Sequence, residues 1–175
     1  MIKVLPRIYW DACAWISLIN REMPNAVNKI KHKRFDMCRE TIKKAEAGEV
    51  DIVTSAFTLA EVCKMPPDPT SPAINLPAFF DQKYIFLIPV DKRVAMKAQS
   101  LQLAGIAGLK PPDAIHLASA IVADVPIFHT FDERILMMND QFGLSNSSTM
   151  KIVRPTEEVP MPELLKRMHQ DEEIN

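Results

Sequence analysis

Short apolar runs with strand character recur along the chain at Arg7 to Trp10, Asp51 to Thr54, Ile85 to Val90, Ile127 to Phe131 and Lys151 to Val153. The longer stretches between them carry apolar residues at helical spacing. The first stretch, Ala12 to Ala47, predicts two helices broken near Pro24. The second begins at Ala56 and runs through a proline-rich segment, Met65 to Pro77, into Ala78 to Gln82. The third predicts helices over Asp91 to Ala107 and Pro112 to Ala123, separated by Gly108 to Pro111. Strands alternating with helices in this way point to an α/β fold, a parallel sheet covered on both faces. After Val153 the pattern fades. Residues 155–175 are punctuated by prolines and end in Asp171, Glu172 and Glu173, so they are expected to be a tail appended to a domain over 1–154.

A chain of 175 residues is the size of one domain. The formal net charge of -1 excludes a strongly basic mode of nucleic-acid binding, so any such contact must come from a local patch. Cys13, Cys38 and Cys63 are odd in number and widely spaced, which suits reduced core thiols and neither a disulfide framework nor a zinc ribbon. Asp11 interrupts the apolar start that could otherwise pass for a signal peptide, and no apolar run is long enough for a bilayer. A cytoplasmic protein with no membrane partner is the expectation. With glycine only at 48, 105, 108 and 143, neither a P-loop nor a G-x-G-x-x-G turn can be built.

In such a sheet each helix returns antiparallel to its strand. Strand carboxyl ends and helix amino ends therefore share one edge, where these folds bind ligands. Asp11 ends the first strand in IYWDACAWISL, and Asp132 follows the fourth in IFHTFDERI. Glu61 sits early in the helix after the second strand, in TSAFTLAEV, and Asp113 opens the helix leading into the fourth, in LKPPDAIHLASA. Each also has a purely local explanation. Asp11 and Asp132 suit N-caps, Asp113 after Pro112 suits a first helical turn, and Thr58 with Glu61, like Thr130 with Glu133, has capping-box spacing. Together, however, carboxylates crowded at one rim without counter-charge repel by about 1 to 4 kcal/mol per close pair. A cation relieves this, and an oxygen-rich set suits Mg²⁺ or Mn²⁺ over zinc. An aspartyl-phosphate hydrolase fits less well, because Asp11-Ala12-Cys13 is not D-x-D.

The four segments, in this order, resemble the PIN-domain family, most closely its VapC-like toxin branch. PPDAIHLASA resembles the family's D-A-x-H-L-A helix with Asp113 as the catalytic aspartate. TSAFTLAEV places Glu61 as the family's glutamate, Asp11 matches the first acid, and HTFDERI resembles the T-x-D element, with Asp132 fourth and Thr130 as a supporting hydroxyl. The resemblance covers Arg7 to about Val153. It implies a three-layer α/β/α sandwich around a parallel sheet of about five strands in the order 3-2-1-4-5. It also implies an Mg²⁺- or Mn²⁺-dependent endoribonuclease, with Asp11, Glu61, Asp113 and Asp132 both catalytic and metal-holding. For the toxin branch it implies a homodimer neutralised by a cognate antitoxin. Cys13 stands where the family often has serine or threonine, so one hydroxyl contact is expected to be missing. The alternative is a non-catalytic PIN-like module that binds a protein partner or nucleic acid.

Several further residues invite a role. His116, one turn after Asp113, has spacing compatible with a shared metal, but its apolar helix argues for a packed, hydrogen-bonded core residue. The basic stretch Lys29, Lys31, Lys33, Arg34, Arg39, Lys43 and Lys44 suits either phosphate contact or a solvated helix face. Lys33, Arg34, Lys110 and Arg134 are the candidate substrate contacts. Met137 and Met138 are expected to fill core.

Overall fold

A computed structural model describes residues 5–19, 29–62 and 79–155, the side chains of residues 29–33 excepted. Neighbouring residues of a strand point to opposite faces, and this divides the core in two. In β1 (Arg7–Trp10), Tyr9 joins one apolar cluster and Trp10 the other. In β2 (Asp51–Ser55), Val53 and Ile52 separate in the same way. With β3 (Ile85–Ile88), β4 (Ile127–His129) and β5 (Lys151–Val153), these form a five-stranded sheet in the order β3-β2-β1-β4-β5. Every pairing is parallel. Both the sandwich and its strand order are as the family resemblance implied.

On the Trp10 face lie α1 (Ala12–Ile19) and α2 (Lys29–Glu46), which bury Trp15, Cys38 and Ala45 against Ile52. On the Tyr9 face lie α4 (Lys92–Leu103) and α5 (Pro111–Val122), which bury Leu101, Leu117 and Ala118 against Phe128. Such fully buried side chains each contribute about 1.5 to 3 kcal/mol. Between β2 and β3 runs α3 (Phe57–Val62), and α6 (Glu133–Leu136) follows β4. The helices returning on both faces put the carboxyl ends of all strands, and the amino end of α5, along one edge.

Some boundaries differ from the sequence expectation. The third and fourth strands stop at Ile88 and His129, short of Val90 and Phe131. The helix expected to reach Ala107 stops at Leu103, because Gly105 takes φ +69° and turns the chain out of the helix. Asp91 lies outside that helix as its N-cap, accepting from the Val94 N–H at 3.0 Å. Met138 is buried as expected, but Met137 is 74% exposed, since successive residues at a helix end point about 100° apart. The break near Pro24, the Met65 to Pro77 segment, Cys63, the Lys33 side chain and the tail beyond Pro155 lie outside the described residues. Among the described residues no helix is long and apolar enough to cross a membrane.

Candidate active site

The first and fourth strands are neighbours, with Trp10 opposite His129, so the residues that follow them meet across the sheet edge. Asp11 and Thr130 are those residues. Thr130 Oγ1 donates to Asp11 Oδ2 at 2.6 Å and accepts the Asp132 N–H at 3.0 Å, joining the first acid to the fourth. Asp11 Oδ1 accepts from the Ala14 N–H at 3.2 Å, a helix cap, and from the Cys13 thiol at 2.8 Å. The contact expected to be missing at Cys13 is therefore made: sulfur donates to Asp11 and also accepts the Phe131 N–H at 3.0 Å, as a hydroxyl would. Burial pushes the Cys13 thiol well above its ordinary pKa, with the Asp11 charge adding to the effect, so it stays a neutral donor.

Asp11 is only 5% exposed, and among the described residues its carboxylate forms no ion pair. Burial raises its pKa, opposed by the nearby His116, Cys13, Thr130 and the Ala14 N–H. A cation beside it would offset that desolvation.

Asp132 caps α6, accepting from the Arg134 N–H at 2.8 Å, so its local role is real. The Arg134 guanidinium also grips it, with Nη2 at 2.6 Å from Oδ2 and Nε at 3.1 Å from Oδ1. This grip holds the Asp132 carboxyl below its ordinary pKa. The same Nη2 lies 3.7 Å from Asp113 Oδ2, so Arg134 spans the two acids. Asp113 sits in the first turn of α5 and accepts the Lys110 N–H at 3.4 Å. The Lys110 side chain is exposed at the start of that helix.

Glu61 lies in the last described turn of α3, later than the sequence suggested, and makes no capping box with Thr58. Thr58 is buried and bonds Thr54 Oγ1 at 2.8 Å. Glu61 Oε2 instead lies 2.6 Å from His116 Nε2, and Nδ1 of the same ring lies 2.9 Å from the Tyr9 hydroxyl. Both nitrogens of His116 are thus occupied, which makes it the hydrogen-bonded core residue anticipated and leaves it no lone pair for a metal. Three of the predicted acids are bridged along one edge, Asp113 and Asp132 by Arg134 and Asp132 and Asp11 by Thr130, while Glu61 bonds His116, one turn from Asp113.

The basic stretch divides. Arg39 and Lys43 pair with Asp36 and Glu40 of their own helix, as on a solvated face. Arg34 instead lies 5.0 Å from the centre of the Phe131 ring, bringing a cation beside the turn that carries Asp132. The Tyr9, His116 and Glu61 contacts and the bridging by Arg134 escaped the sequence reading. The signals were there, since Tyr9 alternates with Trp10 toward the α5 face and Arg134 stands two residues after Asp132.

The PIN domain model matches residues 8–139, most of the chain, and the chain belongs to the PIN-domain family, whose α/β fold is that of nucleases. No curated protein sequence matches it.

The donors at the rim are carboxylate oxygens, a set that fits a hard divalent cation. Among the described residues, no three histidine, cysteine, aspartate or glutamate side chains stand close enough together to hold a metal ion as they are. The chemistry fits, and Arg134 keeps Asp113 and Asp132 engaged with itself.

Proposed function

We propose that the chain is a metal-dependent endoribonuclease that hydrolyses RNA phosphodiester bonds. The observation that carries this is the row of Asp11, Asp132 and Asp113 bridged by Thr130 and Arg134 on the ligand-binding edge, with Glu61 held by His116 one turn from Asp113 and Asp11 buried in no ion pair among the described residues. These four would hold Mg²⁺ or Mn²⁺. When bound, such an ion activates water and neutralises charge developing on the phosphate. The remaining work falls to the chain itself. Thr130 and Cys13 fix both oxygens of Asp11. Arg134, 38% exposed at the rim, is placed to meet a phosphate oxygen, with Arg34, Lys110 and Lys33 as further backbone contacts.

The test is cleavage of single-stranded RNA with Mg²⁺ or Mn²⁺ by the wild type, Asp11→Asn and Asp113→Asn. Each substitution is expected to cost at least about 100-fold, the scale for removing a charge-stabilising group from a site. Equal activity in all three excludes this site.

The finer role we propose is the toxin of a toxin–antitoxin pair, a cytoplasmic homodimer held by a cognate antitoxin. It is supported by the likeness of the four motifs to the VapC-like branch. Expression without the antitoxin should arrest growth, and a small upstream reading frame should restore it. Harmless expression on its own removes the toxin role and leaves the nuclease intact.

A second reading is a non-catalytic binding module, favoured by the absence of a closed metal-holding group among the described residues. Under that reading neither stability nor RNA binding responds to Mn²⁺.

A further inference from the structure

Three of the acids ride on separate elements, Asp11 after β1, Glu61 on α3 and Asp113 on α5, and one buried hydrogen-bonded chain ties those elements together. Tyr9, two residues before Asp11, is fully buried and stacks on Phe128 at 4.9 Å. Its hydroxyl lies 2.9 Å from Nδ1 of His116, which is 3% exposed and one turn along α5 from Asp113. Nε2 of that ring lies 2.6 Å from Glu61 Oε2. The Tyr9 and Phe57 rings, each with its centre 6.0 Å from that of His116, hold the imidazole in place from β1 and α3.

We infer that Tyr9 and His116 form a positioning relay, in which the Tyr9 hydroxyl anchors the His116 ring at Nδ1 while the ring donates Nε2–H to Glu61, setting Glu61 relative to Asp11 and Asp113. Proton counting fixes the direction. A carboxylate can only accept, so the 2.6 Å contact needs the proton on Nε2. The phenol hydroxyl, able to donate or accept, occupies Nδ1. Without the phenol, the ring loses its anchor on that side, and its hold on Glu61 loosens. The contact is charge-assisted and partly buried, a setting in which such a bond helps to fix geometry.

The relay rests on the proposed nuclease site, and it is tested in two arms so that the two ideas fail separately. In the metal-free protein, ¹⁵N NMR of the His116 ring is expected to show Nε2 protonated, and Tyr9→Phe to move the Nδ1 resonance and weaken the Nε2–H contact with Glu61. A His116 ring bare on Nε2, or one unchanged by Tyr9→Phe, overturns the relay whether or not the protein cuts RNA. In the second arm Mn²⁺ binding is titrated. His116→Leu is expected to weaken it about 10-fold or more, the usual scale for losing a partner of a ligating group. Tyr9→Phe should weaken it less, and His116→Gln, which can still donate to Glu61, should recover most of it. Wild-type binding in His116→Leu and Tyr9→Phe also overturns the relay. A wild type that binds no Mn²⁺ sinks the nuclease proposal instead, and the relay is then decided by the NMR arm.

Discussion

The three aspartates of the rim each serve a local structural need, accepting a backbone N–H at a helix start, and Asp11 shows the cost. Its carboxylate accepts from Thr130, Cys13 and the Ala14 N–H, yet burial still raises its pKa. Between the ordinary carboxylate pKa and that raised value the folded state holds more protons than the unfolded chain, so stability falls as pH rises through the window. At neutral pH the ionised group is a full burden. Asp11→Asn is therefore expected to melt higher than the wild type in EDTA at pH 7 in a thermal scan. The gain should shrink as pH falls through the ordinary carboxylate range, below which the acid is protonated in both states. The comparison has to be made at matched pH, because buried His129, with a pKa pulled down to about 3, destabilises both proteins as pH falls below the ordinary histidine range. An Asp11→Asn protein no more stable than wild type at pH 7 would refute the burden. Cys13 follows a related logic. Its thiol bridges Asp11 and the Phe131 N–H, so Cys13→Ser should keep the melting point and Cys13→Ala should lower it by about 1 kcal/mol, roughly 2 to 4 °C, in a thermal scan.

At the scale of elements, Arg134 decides how the edge stands. It belongs to the short α6, reaches Asp113 at the start of α5, and lies 3.5 Å from the Gly108 carbonyl in the turn between α4 and α5. A guanidinium and a divalent cation would compete for the same carboxylates. Arg134→Ala is expected to lower stability only slightly, as for an exposed pair, and to tighten Mn²⁺ binding measured by calorimetry. Weaker Mn²⁺ binding would mean that Arg134 organises the acids for the ion and does not exclude it. This arrangement also shows what could be read beforehand. Periodicity placed the five strands and most of the helices, and the position of each aspartate relative to its element was enough to set Asp11, Asp113 and Asp132 along one edge, whereas Glu61 lies later in its helix than expected. Strand order came only from the family likeness, because parallel register leaves no local trace in a sequence. The links among the acids stayed hidden for a different reason. Tyr9 to Glu61 and Arg134 to Asp113 are set by side-chain reach across elements, which no window of residues reports. Gly105, by contrast, was legible in principle, since a glycine inside an apolar helical pattern marks a left-handed C-cap and would have ended α4 at its true place.

For the molecule as a whole, the net charge of -1 means that affinity for RNA cannot come from a general field. With phosphate contacts drawn from about three cations near the rim, such as Arg34, Lys110 and Arg134, the salt dependence of single-strand binding should be shallow, a log–log slope near -2. The fold supplies the rest by geometry, one edge gathering the ends of β1 and β4 with the start of α5. That geometry can be examined without any substrate. If the acids hold a divalent ion only when folded, Mn²⁺ at 100 times its dissociation constant adds about 2.7 kcal/mol to stability, a rise of roughly 5 to 10 °C for a chain of this size. The rise should follow Mn²⁺ concentration logarithmically and be much reduced in Asp11→Asn, even though that variant starts from a higher melting point in EDTA. A wild-type melting point indifferent to Mn²⁺ would place this chain among binding modules. The same rise in Asp11→Asn as in wild type would put the ion somewhere other than beside Asp11.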